Sequence, residues 1–146
     1  MNLFSKIFVS VLLVSQIASG QTGNKDNSSS KRQKNMPVNK EKLSNTIVKA
    51  AIEALEKGDP KAWFALFTTD AELYDDGNKR DFKQFSNSAF GKGHEHFTSI
   101  DKVENNGLDI YGHYHSDQWG DFKTYYKFHI NKEGKITRLD VGQANY

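Results

Sequence analysis

A chain of 146 residues with no cysteine has room for one modest domain and an appendage, and it can neither staple that domain with disulfides nor carry a lipid on a cysteine. Its formal charge of +2 comes from one stretch, where Lys25, Lys31, Arg32, Lys34 and Lys40 face only Asp26. That stretch has no interleaved aromatics and the remainder is slightly acidic, so the charge makes no case for a nucleic-acid partner.

In chain order, residues 1–20 have a basic head ending at Lys6, an apolar run from Ile7 to Val14, and small residues Ala18 and Gly20. This is the layout of a secretory signal peptide, and the run falls short of the roughly 20 residues a spanning helix needs. The expectation is a cleaved signal and a secreted or periplasmic product with no membrane association afterwards; a retained anchor is the alternative. Residues 21–40 are rich in Ser, Asn, Lys and Gly with almost no large apolar side chains, and read as a disordered polar linker. The folded domain is then 41–146.

Within it, Leu43, Ile47, Val48, Ala51, Ile52 and Leu55 recur at helical spacing, and Gly58 ends that helix. Asp59 and Pro60 supply an N-cap and first-turn proline for a second, aromatic helix bearing Trp63, Phe64, Leu66 and Phe67. A short strand ends at Asp75 and Asp76, followed by a third helix from Arg80 to Phe90 with Phe82, Phe85, Ala89 and Phe90 on one stripe. The remainder alternates. Leu108, Ile110 and Tyr114 interleave with Asp109, Tyr111, His113 and His115, and Phe122, Thr124, Tyr126, Phe128 and Ile130 with Lys123, Tyr125, Lys127 and His129. Turn sequences at 105–107, 116–120 and 131–134 separate these strands into an antiparallel meander, and a parallel α/β sheet is excluded by the lack of alternating helices.

This order resembles the nuclear transport factor two-like superfamily, especially its SnoaL-like branch: a helix, a Gly-Asp-Pro turn, an aromatic helix running into LFTTDAELYDDG, a third helix, and a meander closing on EGKITRLD. The resemblance covers nearly all of 41–146. It implies an α+β fold with three N-terminal helices packed on a strongly curved, mostly antiparallel sheet, a cone with an internal cavity. It also implies a homodimer through the outer sheet face. The superfamily contains isomerases, cyclases, dehydratases, hydrolases and proteins with no catalysis, so fold alone leaves function open.

The resemblance places Asp75 where ketosteroid isomerases have a general-base aspartate. A carboxylate at a strand end, tipped into an apolar cavity, has its charged form disfavoured and is suited to moving a proton. The isomerases' tyrosine donor falls at Ala51, which has no hydroxyl, and their protonated aspartate falls at Tyr126, which could donate one hydrogen bond to a developing oxyanion. Steroid isomerase activity is therefore disfavoured, while generic acid–base chemistry stays open. For Asp75 the competing reading is an ordinary turn residue in Asp-Asp-Gly-Asn, and for Tyr126 a core tyrosine.

His94 and His96, and His113 and His115, form two His-x-His pairs that could hold zinc with Asp117 or Glu95, although such spacing is equally that of polar strand faces. No metal or cofactor is expected. The catalytic candidates are Asp75 as base, with Tyr126 or His115 as polarising partner. Trp63, Phe64, Phe67, Tyr74, Phe85, Tyr114, Trp119, Phe128 and Asp140 are the pocket candidates, and Arg138 with Asp140 reads by default as a surface ion pair. Two functions remain: cofactor-independent proton-transfer chemistry of isomerase, cyclase, dehydratase or hydrolase type on a small apolar substrate, or a non-catalytic domain binding a ligand or protein partner.

Overall fold

The computed structural model describes residues 38–146. The expected signal segment, and all of the expected linker except its last three residues, lie outside the described residues. Those three already belong to the folded unit, because Asn39 caps a 3-10 turn over Lys40–Lys42 and the Lys40 ammonium lies 2.7 Å from Glu56.

Helix α1, Thr46–Lys57, buries Val48, Ala51, Ile52 and Leu55 of the predicted stripe together with Ala54, while Leu43 lies before the helix as the C-cap of the 3-10 turn. The Asn45 side chain accepts from the amides of Ile47 and Val48, which satisfies two of the donors left bare at a helix start. At the other end Gly58, at φ +64, adopts the left-handed conformation that closes a helix without strain. Asp59 then caps α2, Pro60–Ala65, through the amide of Ala62. The sequence spacing carries this helix through Phe67, but it stops earlier. The Leu66 carbonyl accepts from Ile136, and Phe67 pairs with Ile136 across the sheet, so strand pairing takes over from helix propensity.

Strand β1, Phe67–Asp75, turns on Asp76 and Gly77 into the short β2, Asn78–Arg80. Helix α3, Phe82–Ser88, follows and continues as a single wide turn over Ala89–Gly93. Only α1 and α2 precede the sheet. The expected third N-terminal helix is inserted instead between β2 and β3, because the Asp76-Gly77 hairpin completes two strands before α3 begins. The remaining strands are β3, His96–Glu104; β4, Asp109–Ser116; β5, Gly120–Ile130; and β6, Ile136–Gln143.

Six strands form one open sheet in the order β2-β1-β6-β5-β4-β3. Every pairing is antiparallel except β1 with β6, so the class is α+β with a mostly antiparallel sheet, as expected. One face carries Leu73, Phe97, Ile110, Tyr114, Tyr126, Phe128, Leu139 and Val141, all buried in one core with α1 and Trp63 of α2. We call this the inner face. The other carries Tyr111, His113, His115, Lys123 and Lys127, half-buried or exposed.

Candidate functional site

Strand register builds the site. Asp75 and Tyr126 both oppose Val141, one from each side, and Tyr126 in turn opposes Ile110. Residues directly opposite share a face, so Asp75, Val141, Tyr126 and Ile110 form one row across the inner face. Asp75 is only 5% exposed. Its side chain does not serve the adjacent turn: Asn78 bonds the backbone carbonyls of Asp75 and Asp76, while the Asp75 carboxylate has the Arg80 guanidinium at 3.7 Å and no hydrogen bond among the described residues.

Two residues further along the inner side of β4, Gly112 makes room for a close approach of β3. A Cβ there would sit 2.0 Å from the Ser99 carbonyl. Beyond it Tyr114 leans back so that its hydroxyl meets that of Tyr126 at 2.7 Å. Glu95, in the segment leading into β3, completes the group: its carboxylate accepts from Ser116 Oγ at 3.2 Å and faces the Tyr114 hydroxyl at 3.5 Å. Gly93 permits this pose, since a Cβ on it would lie 2.8 Å from Glu95 Cγ and 3.0 Å from Oε1. A side chain at position 93 would push the Glu95 carboxylate away.

The electrostatics follow from burial. Desolvation raises the Asp75 pKa, the neighbouring Asp76 adds to the effect, and Arg80 opposes it. Desolvation also raises Glu95; bonds from Ser116 and Tyr114 oppose this, and the Asp75 charge reinforces it. Burial pushes both phenols up, so Tyr114 and Tyr126 remain protonated donors. Two carboxylates that hold protons more readily than usual, beside two neutral hydroxyls, are groups able to accept, donate and relay protons.

The structure thus places Asp75, Tyr126 and Tyr114 on one face, and it places His115 on the other. His115 sits between Asp121 at 2.7 Å and Asp117 at 3.1 Å, which together raise its pKa. Among the pocket candidates, Trp63, Phe67 and Phe128 are buried in the core, with Trp63 Nε1 donating to Ser86. Phe64 and Phe85 are half-buried against that core. Tyr74 and Asp140 belong to the outer face: Arg138 grips Asp140 through Nε and an amino group and lies 4.0 Å from the Tyr74 ring centre, and Asp140 also meets His129 at 2.7 Å. These residues border an outer hollow lined by Asp70, Glu72, His129, Thr137 and Arg138. Trp119 is 50% exposed in the β4–β5 connection.

His94 and His115 both reach Asp117, and the rings of His96 and His115 lie 5.5 Å apart, but the group does not form a metal site. His94 pairs with Asp117, His113 with Asp101, and no three His, Cys, Asp or Glu side chains among the described residues are disposed to hold a metal ion. Glu95 is the polar group that sequence reasoning placed in the wrong company, as a companion of zinc. The signal for its inward pose is the glycine two residues before it.

No protein-family model matches the sequence, and no curated protein matches it. Solved structures do. An NTF2-like protein of unknown function from Cytophaga hutchinsonii superposes with a TM-score of 0.54 at 19% identity, over 67% of this chain and 87% of that one. A putative polyketide cyclase from Sinorhizobium meliloti gives 0.56 at 18% identity, over 66% and 94%. Another from Xanthomonas campestris gives 0.52 at 18% identity, over 67% and 87%. At such identities the likeness establishes the fold alone, and the fold is nuclear transport factor two-like.

Proposed function

We propose that the inner face of this domain receives a small, largely apolar molecule and moves a proton on it without a cofactor, with Asp75 as base and the Tyr126 hydroxyl as hydrogen-bond donor. The observation that carries this reading is the single row on which the buried Asp75 carboxylate, with only the Arg80 guanidinium at 3.7 Å, and the Tyr126 hydroxyl flank Val141. A desolvated carboxylate is a stronger base than an exposed one, and a buried phenol is a preorganised donor for charge developing on a substrate oxygen.

A cup-shaped sheet around the ligand is part of the proposal. Asp75 ends β1 and Glu95 immediately precedes β3, strands four steps apart in the sheet, which would be roughly 19 Å across a flat one. Glu95 nevertheless faces Tyr114, and Tyr114 bonds Tyr126; these contacts support a sheet bent towards its inner face.

The test is hydrogen–deuterium exchange on a probe. The full chain is incubated in D2O with small enolisable ketones, and loss of the α-proton signals is followed by NMR. Exchange should exceed the buffer rate, and Asp75→Asn should reduce that excess by about 100-fold, the usual scale for losing a general base. Exchange that never exceeds buffer, or that survives Asp75→Asn, rules the reading out.

A further inference from the structure

Beyond the last pairing of β3 with β4, His96 with His115, the two segments stay together through Asp117. The Asp117 amide donates to the Gly93 carbonyl at 2.7 Å, which ties the β4–β5 connection to the wide turn after α3. The Asp117 carboxylate gives one oxygen to each of two imidazoles: Oδ2 lies 2.5 Å from His94 Nδ1, and Oδ1 lies 3.1 Å from His115 Nε2. His115 Nδ1 lies 2.7 Å from Asp121 Oδ1, so both nitrogens of that ring face carboxylates.

This geometry fixes a protonation state. A neutral imidazole has one N–H and turns a lone pair towards its second carboxylate, whereas an imidazolium donates to both. The remaining titratable neighbours do not supply the missing proton. From β3, His96 has its ring centre 5.5 Å from that of His115 and directs Nδ1 to the His94 carbonyl at 2.8 Å. From β5, Lys123 opposes the next outer-face residue, His113, and the exposed Lys92 belongs to the turn itself. Glu95 turns the other way, to Ser116 and Tyr114. His94 stands at φ +43, a left-handed conformation that is uncommon for a residue with a side chain and is sustained by what surrounds it.

We propose that His94, His115 and Asp117 form a pH-dependent clasp, closed while His115 is protonated on both nitrogens and releasing the Ala89–Glu95 segment from the β4–β5 connection when that ring loses a proton. Asp121 and then Asp117 raise the His115 pKa, so the closed form outlasts the ordinary histidine range and is lost as pH climbs through the raised value. The side chains of the clasp have solvent access, so opening is a local event of modest size and leaves the core intact. Glu95 lies on the released segment, so the clasp also governs whether its carboxylate meets Ser116. None of this depends on proton transfer at the inner face.

The experiment is amide hydrogen exchange of the full chain, read by NMR from pH 5.5 to 8 and corrected for the intrinsic pH dependence of exchange. The amides of Glu95 and Asp117, which donate to the Ala89 and Gly93 carbonyls, should lose about fivefold in protection, the upper end for an exposed ion pair. The midpoint should match the ring titration of His115 in the same sample. Asp117→Asn leaves Asp121 on His115 and should hold both amides at the low protection throughout. If Asp117→Asn does not fold, His115→Gln makes the same test, because it cannot titrate and its protection should be flat with pH. Wild-type protection that is flat, a step away from the His115 titration, or a step that survives either variant overturns the clasp.

Discussion

Asp75 is where fold stability and proposed chemistry pull in opposite directions. Burial first, then Asp76, raises its pKa above that of the unfolded chain, and Arg80 offsets this only in part. A raised carboxylate binds its proton more tightly folded than unfolded, so stability falls as pH rises from the ordinary carboxylate range through the folded pKa. Asp75→Asn removes the ionisable group. We expect it to raise the melting temperature at pH 7.5, with the gain shrinking as pH falls through that window. A lower melting temperature at pH 7.5 would instead assign Asp75 an anchoring role. The resemblance to ketosteroid isomerases singled out Asp75 and Tyr126, and both side chains are buried on the inner face. Glu95 was not legible in the same way, because its position depends on space over Gly93 and on hydroxyls from β4, none of which a linear pattern encodes.

Elements repeat that division. Strand β5 and most of β4 alternate without interruption and could be read directly, as could α1 with its Gly58 stop, whereas Asn45, which the spacing places on the polar side of the helix, is its cap. Strand β3 could not, because its register against β4 shifts between Phe97 and Ser99 and again between Ile100 and Lys102. Those irregularities put Phe97 and Ile100, three residues apart, into the same core and erase the period of two. Gly112 accommodates the shift, since any Cβ would meet the Ser99 carbonyl at 2.0 Å. Backbone must move to admit a methyl group there, so Gly112→Ala should cost about 3 kcal/mol, the upper end for overpacking, as read by urea denaturation. A cost below about 1 kcal/mol would mean that β3 slides freely on β4. Asn45→Ala should cost about 1 kcal/mol by the same measurement, because the amides of Ile47 and Val48 lose their acceptor. If Asn45→Ala leaves the urea midpoint unchanged, the cap contributes nothing and α1 is held by its buried stripe alone.

For the molecule as a whole, titrating groups of opposite sense sit on opposite faces of the sheet. On the inner face Asp75 and Glu95 are raised, chiefly by burial, and each weakens the fold as it ionises with rising pH. On the outer side His115 is raised by Asp121 and then Asp117, so its contribution is complete below the unfolded histidine range and disappears as pH climbs through the folded value. Asp140 and Asp101 have the reverse sign. Partial burial opposes their ionisation, but Arg138 and His129 hold Asp140 down, and Tyr146, Ser99 and His113 hold Asp101 down. Their stabilisation is present above the unfolded carboxylate pKa and is lost as pH falls through the folded one. Solvent screens these outer pairs, so their limb should be shallow. Asp75 is buried and Glu95 half-buried, so the inner acids are less screened and should weigh more on the other side. The melting temperature is therefore expected to pass through a maximum and then to decline as pH rises from the ordinary carboxylate range through the raised pKa values of the inner acids and of His115. Asp75→Asn combined with Glu95→Gln should lessen that alkaline decline to the part due to His115 and leave the acidic limb in place, because the acidic limb belongs to residues on the far side of the sheet. A wild-type curve that rises to pH 8, or a decline that the double variant keeps in full, would show that the inner carboxylates are solvated and that the inner face is not the desolvated site proposed for it.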